Sequence, residues 1–252
     1  MGGLPAHAGP AAAGSAGSPT DSARWSALLA EGQAAEDRLD PEAALRAYLR
    51  ASAERPRDVA VLLKVAKEYS DSTLVCGDPE ANRRSIARAL EYSRRAEELD
   101  PNNAVALLSI AVCYGKLGLY GGVREKLACA REVKAYAERA AAADPGYAYA
   151  HHVLGQWEYE VASLGATKRF LIDLIGGGLP PASTHEAVAH LQKAVDLEPT
   201  VMAHRLALGC ACAADGDKDR ARKLFREVLS MPRREIYDAD CQRQAERELK
   251  AL

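Results

Sequence analysis

Between Leu62 and Tyr114 the hydrophobic residues keep a helical beat. Leu62, Val65, Ala66 and Tyr69 stand at i, i+3, i+4 and i+7, and Leu107, Ile110, Ala111 and Tyr114 repeat that spacing. One apolar stripe per helical period predicts amphipathic helices, each with a single buried face. Prolines close the helical stretches at Pro56, Pro101, Pro145, Pro199 and Pro232, three of them directly after Asp100, Asp144 or Glu198.

These prolines lie 45, 44, 54 and 33 residues apart. A helix-turn-helix unit of about 34 residues that ends in proline is the tetratricopeptide pattern. The last unit fits best: Leu208-Gly209 opens a contact face, Gly216 makes the turn, Ala221 and Phe225 follow, and Pro232 closes. Small residues are needed where the two helices of a unit cross. The first unit carries Gly32, Ala44, Tyr48, Ala51 and Pro56, and its second helix starts with Asp40 as N-cap and Pro41 at the first helical position. The middle units keep their ends (Ala89 and Ala96; Ala137 and Ala140; Leu154-Gly155, Ala187 and Ala194) and stretch between them. Insertions are expected around Gly118–Gly122 and, largest, through Gly176–Pro181; such insertions project from one face of a solenoid. A final polar helix, Arg234 to Leu252, reads as a cap. The fold class is therefore all-α, a tetratricopeptide-like superhelix of about five irregular repeats over residues 24–252 with a C-terminal capping helix. The Ala/Gly/Ser/Pro-rich residues 1–23 are expected to form a disordered leader.

Three stretches go beyond the generic repeat. Cys113-Tyr114-Gly115-Lys116-Leu117 with Tyr120-Gly121-Gly122-Val123 and Lys126, then His151 through Ala162, and Pro180-Pro181-Ala182-Ser183-Thr184-His185-Glu186-Ala187 resemble the regulator of microtubule dynamics family. The resemblance covers roughly residues 25–252. It implies a cytoplasmic protein associated with microtubules or the spindle, with tubulin as a partner. A membrane-anchored relative tethers endoplasmic reticulum to mitochondria and binds phospholipid through its repeats. We expect no such anchor here and, with Phe170 and Phe225 the only phenylalanines in the sequence, no double-phenylalanine docking tract.

Composition narrows the function without naming it. Of 252 residues, 33 are Lys or Arg and 35 Asp or Glu, for a net charge of -2, which argues against nucleic acid as a partner. The same charge gives no general attraction to acidic tubulin tails. Cys76, Cys113, Cys129, Cys210, Cys212 and Cys241 form no Cys-x-x-Cys pair, and we expect packed thiols in a reducing cytoplasm. No segment reaches the ~20 apolar residues of a membrane span.

Apparent chemistry dissolves under spacing. His185 and His190 stand at i and i+5, about 140° apart on a helix, which defeats a shared zinc. Asp215, Asp217 and Asp219 open like a calcium loop, but Arg220 and Arg226 hold the places of the required Gly and Glu. The glycine clusters lack the Gly-Lys-Ser/Thr of a phosphate cradle. Arg84, Arg88 and Arg95 share a face with Glu91 and Glu98 and read as a salt-bridged surface. We therefore expect no catalytic residues, no metal site and no cofactor: a non-catalytic binding module.

Two candidate surfaces remain. In this fold, positions 2, 5, 9 and 12 of each first helix line the groove, which assigns Val105, Leu108, Val112, Tyr149, His152, Gln156, Tyr159, Leu206 and Cys210 to it. Such a lining favours an amphipathic helix, a lipid chain or one of the protein's own helices. The second is Lys168-Arg169-Phe170-Leu171-Ile172-Asp173-Leu174-Ile175, whose Phe170, Leu171, Leu174 and Ile175 form one apolar face beside two cations. It either contacts a membrane or partner or folds back on the repeat core. The leading reading is a microtubule-associated regulator; the alternative is a phospholipid-binding or lipid-transfer domain at organelle contacts.

Overall fold

The protein is described by a computed structural model covering residues 19–74, 76–176 and 178–252. Its elements, in order, are α1 (Pro19–Glu36), α2 (Pro41–Glu54), α3 (Val59–Asp71), a 3-10 turn (Ser72–Leu74), α4 (Pro79–Leu99), α5 (Ala104–Tyr120), α6 (Val123–Ala143), α7 (Ala148–Ala162), α8 (Ala166–Gly176), α9 (Thr184–Leu197), α10 (Met202–Ala214), α11 (Lys218–Ser230) and α12 (Asp238–Ala251). Five antiparallel pairs follow one another: α1/α2, α3/α4, α5/α6, α7/α9 and α10/α11, with α8 inserted in the fourth and α12 capping the fifth. The all-α superhelix of irregular repeats is thus observed.

The helix starts obey local rules. Asp40, Asp58, Asn103, Ser183 and Asp217 each accept a hydrogen bond from the backbone N–H three residues on, at 2.9–3.1 Å. Each cap satisfies one donor that the first turn would leave unpaired. Gly216, at φ 95°, makes the α10–α11 turn in the left-handed region. Where paired helices cross, a Cβ on Gly155 would sit 2.5 Å from Leu191 Cγ, and one on Gly209 would sit 2.6 Å from Phe225 Cε1. Those glycines let fully buried Leu191 and Phe225 lie directly on the opposing backbone.

Three expectations change. Helix α1 begins at Pro19, inside the expected leader of residues 1–23; residues 1–18 lie outside the described residues. The third repeat contains no looped insertion: α5 continues to Tyr120 and α6 starts at Val123, so the extra length lengthens both helices, to 17 and 21 residues. Arg88 does pair with Glu91 at 2.8 Å, but Arg95 donates to the Pro56 carbonyl of the preceding repeat instead of completing the stripe.

The stack is curved. First helices touch their successors (α3 with α5, α5 with α7, α7 with α10, α10 with α12), whereas successive second helices make no comparable contact among the described residues. First helices therefore form the inner layer and second helices the outer one. The largest core cluster joins α9, α10, α11 and α12 around Leu191, Leu208, Phe225 and Val228.

Candidate binding groove

The inner layer does not present the open apolar groove that helix positions alone assign. Of the nine expected lining residues only Val105 is exposed. Leu108 packs between α5 and α7 among Ala111, Leu154 and Tyr149, and is buried. Leu206 and Cys210 are buried in the terminal core, with Tyr159 packed against it, while Val112, Tyr149, His152 and Gln156 are half-buried. The physical reason is the tight inner curvature: first helices of adjacent repeats press against each other where a wider superhelix would leave their side chains free.

The chain's own C-terminal segment completes the closure. Tyr237 Oη lies 2.9 Å from Tyr149 Oη, so the start of α12 reaches back to the first helix of the fourth repeat. Gln244 Nε2 approaches Cys210 Sγ at 3.9 Å. The backbone N–H groups of Arg234 and Glu235 both donate to Asp238 Oδ2, at 2.7 and 2.8 Å, which shapes the turn before α12. That turn faces the opposite end of the stack. Arg234, Glu235 and Ile236 line a cavity of about 350 Å³ together with Glu36, Lys64, Lys67, Glu68 and Asp71 from α1 and α3.

This cavity is the polar heart of the molecule, and sequence reasoning missed it. Lys67 Nζ reaches Glu68 at 3.0 Å and Asp71 at 2.8 Å, while Lys64 Nζ meets Glu36 at 2.7 Å. Burial pushes the Glu68 carboxyl above its ordinary range, with Lys67 opposing and a hydrogen bond to Glu36 adding to the rise. Glu36 is held below it despite burial, chiefly by the Lys64 hydrogen bond. The two carboxyls are thus pushed in opposite directions, Glu68 up by burial and Glu36 down by Lys64, which eases their sharing of one site. Helical periodicity gave a signal for Lys64, Lys67, Glu68 and Asp71 as one polar face of α3, but none for its meeting with residues 234–236.

A second buried polar cluster lies at the junction of α7 and α10. His204 is fully buried, its ring centroid 4.7 Å from that of Tyr149 and 4.9 Å from that of His152. Among the described residues neither nitrogen of His204, nor Nδ1 of His152, has a hydrogen-bond partner. Burial lowers the His152 pKa to about 4, and burial with the neighbouring His152 lowers that of His204 to about 3. Both rings are neutral at physiological pH. His190, set aside as a zinc ligand, instead stacks on His151 with their Nδ1 atoms 3.3 Å apart, and His185 is exposed. Among the described residues no group of three or more His, Cys, Asp or Glu is placed to hold a metal.

The other candidate surface behaves oppositely to a core helix. α8 turns its apolar face outward: Phe170 is 67% and Leu174 73% exposed, with Leu171 and Ile175 also exposed. It does not fold that face back on the repeat core. It is held through its other side, where Arg169 donates to the Val161 carbonyl at 3.0 Å and Ile172 joins Val161, Leu164, Leu179 and Pro181 around a cavity of about 260 Å³. Lys168 is exposed at its start. All six cysteines are free, and burial raises the thiol pKa values of Cys113 and Cys210 to about 12. No helix among the described residues is long and apolar enough to cross a membrane.

A thermophilic TPR protein of Thermus thermophilus superposes with a TM-score of 0.64 at 20% identity, covering 90% of this chain and all of that one, which shows the fold. Among curated proteins, regulator of microtubule dynamics protein 1 of Bos taurus is 29% identical over 153 residues, 60% of this chain and 48% of that protein. Regulator of microtubule dynamics protein 3 of Xenopus laevis is 28% identical over 138 residues, 55% of this chain and 30% of that protein. The chain spans half or less of these relatives' length. The family model described as regulator of microtubule dynamics protein 1-3 matches residues 26–252, so the chain belongs to that family.

Proposed function

We propose that the chain is a non-catalytic binding module that acts on microtubules as a regulator of their dynamics. The observation that carries this reading is the family match over residues 26–252. The architecture supports it physically: stacked helix pairs offer a large, rigid surface for a protein partner, and the site clusters are ion-paired or packed in ways that serve structure. Because the apolar inner positions are filled by neighbouring helices and by residues 234–252, the partner surface in this reading is the outer layer. Co-sedimentation with polymerised tubulin tests it. The purified chain is expected in the pellet in proportion to polymer; a chain that stays in the supernatant at all tubulin concentrations overturns it.

The exposed face of α8 favours a second reading, contact with a phospholipid surface. Apolar patches of this kind on a folded domain mark interaction sites, and an outward Phe-Leu-Leu-Ile face beside Lys168 suits an interfacial helix. Liposome flotation separates the two readings. Phe170→Ser/Leu174→Ser is expected to abolish flotation while leaving co-sedimentation intact; unchanged flotation removes the lipid reading.

A further inference from the structure

The layers of this solenoid are sorted by charge. The second helices α2, α4, α6, α9 and α11 hold 18 Lys and Arg against 13 Asp and Glu, a net charge of +5, in a chain whose total is -2. The first helices α1, α3, α5, α7 and α10 hold 5 against 7, a net charge of -2. The excess on the outer layer is greatest on α11, where Lys218, Arg220, Arg222, Lys223 and Arg226 face only Asp219 and Glu227.

Most cations elsewhere in the outer layer are committed internally. Arg94 reaches Tyr114, Arg95 the Pro56 carbonyl, Lys134 Glu158 and Arg139 Glu97. On α11, Arg220 bonds to Gln192, and Arg222 pairs with Asp219 while donating to the terminal Leu252 carbonyl at 2.7 Å. Among the described residues Lys218, Lys223 and Arg226 are exposed and make no ion pair, while Asp219 lies on the same face and pairs with Arg222. On a helical wheel these three and Arg222 fall within an arc of about 140° and along about 12 Å of axis. The Arg222–Leu252 bond also brings the last turn of α12, with Lys250, beside this face.

We propose that the outer face of α11 (Lys218, Arg222, Lys223 and Arg226) is a docking surface for an extended acidic polypeptide segment. An extended segment of about four residues spans the face, and its carboxylates would meet Lys218, Lys223 and Arg226, which make no ion pair among the described residues, with Arg222, already paired with Asp219, beside them. The chemistry favours a carboxylate-rich chain over other polyanions. Among the described residues α11 exposes no large apolar side chain for a bilayer, and its only aromatic ring, Phe225, is buried and unavailable for stacking on bases. The inference deepens the reading above by naming a partner chemistry and a surface, and it is tested separately from it.

The experiment measures anisotropy of a labelled deca-glutamate peptide with the whole chain at about 50 mM and about 300 mM salt. Wild type is expected to bind at low salt and to weaken sharply at high salt. Lys218→Glu/Lys223→Glu/Arg226→Glu, all exposed positions, is expected to lose roughly tenfold or more with an unchanged circular dichroism spectrum. Arg83→Glu/Arg84→Glu/Arg124→Glu, exposed on α4 and α6, carries the same change in net charge and is expected to lose no more than about twofold. Equal losses in the two variants, or no wild-type binding at low salt, overturn the proposal. So does tighter binding of an oligonucleotide or of anionic vesicles than of the peptide under the same conditions. Should wild type bind the peptide through α11 and yet fail to pellet with microtubules, the docking surface stands and the microtubule reading falls; the reverse result separates them the other way.

Discussion

His204 is a fully buried imidazole without a hydrogen-bond partner on either nitrogen among the described residues, and that has a thermodynamic consequence. Its charged neighbour, Glu198, lies 3.8 Å from Nε2, while the other faces are Tyr149 and His152. An unfolded histidine titrates near 6.5, whereas these rings are held at about 4 and about 3. Below about pH 6.5 the unfolded chain takes up protons that the folded chain refuses, so stability falls as pH drops, by an amount on the order of a few kcal/mol. His204→Phe keeps the ring and removes the titration. It is expected to match wild type near neutral pH and to lose less melting temperature on acidification; parallel losses would place the acid sensitivity elsewhere. A residue's own cap or turn was legible in the chain, as at Asp40 and Gly216, because those bonds span three residues or fewer. The pairing of His152 with His204 was not, because it joins α7 to α10 across 52 positions.

At the scale of elements, the crossing glycines and the bridging carboxylate decide how helices sit. Gly209→Ala forces a methyl into Phe225 and is expected to cost about 1–3 kcal/mol. Gly115→Ala in α5 meets nothing closer than Val133 Cγ2 at 3.7 Å and is expected to stabilise by about 0.5–1 kcal/mol through helix propensity. Thermal denaturation of both variants checks the pair, and equal shifts would contradict the crossing geometry. Glu158 is the hub between the third and fourth repeats: Lys134 Nζ binds it at 2.8 Å, and the Ser183 N–H donates to it at 3.1 Å as the chain enters α9. Glu158→Ala strands both donors and is expected to cost about 2–3 kcal/mol by urea denaturation. A change below about 0.5 kcal/mol would mean the network is solvated and idle. Helix pairing at these elements was readable from Gly155, Gly209 and the apolar periodicity. The outward face of α8 was not, since a periodic stripe states that a helix has two faces but not which one meets protein.

For the whole molecule, closure of the stack by residues 234–252 governs what the inside can do. The Cys210 thiol is buried against α12, with its pKa raised to about 12, and should resist alkylation in the folded chain. Tyr237→Ala removes the Tyr149 contact and should speed modification of Cys210, which packs against α12, more than that of Cys113, which packs between α4 and α5. Mass spectrometry of timed alkylation reads this directly, and equal acceleration of both thiols would indicate general loosening instead. By itself the sequence determined the helices and their pairing into repeats, because periodicity, caps and crossing glycines act within one or two neighbouring elements; the family showed only as a resemblance of three irregular stretches. Only the tertiary structure decided that the inner positions Leu108, Leu206 and Cys210 are filled and that α3 faces residues 234–236 across a polar cavity. Those outcomes depend on superhelical curvature, which sums small angles over five helix pairs, and no local pattern along the chain encodes that sum.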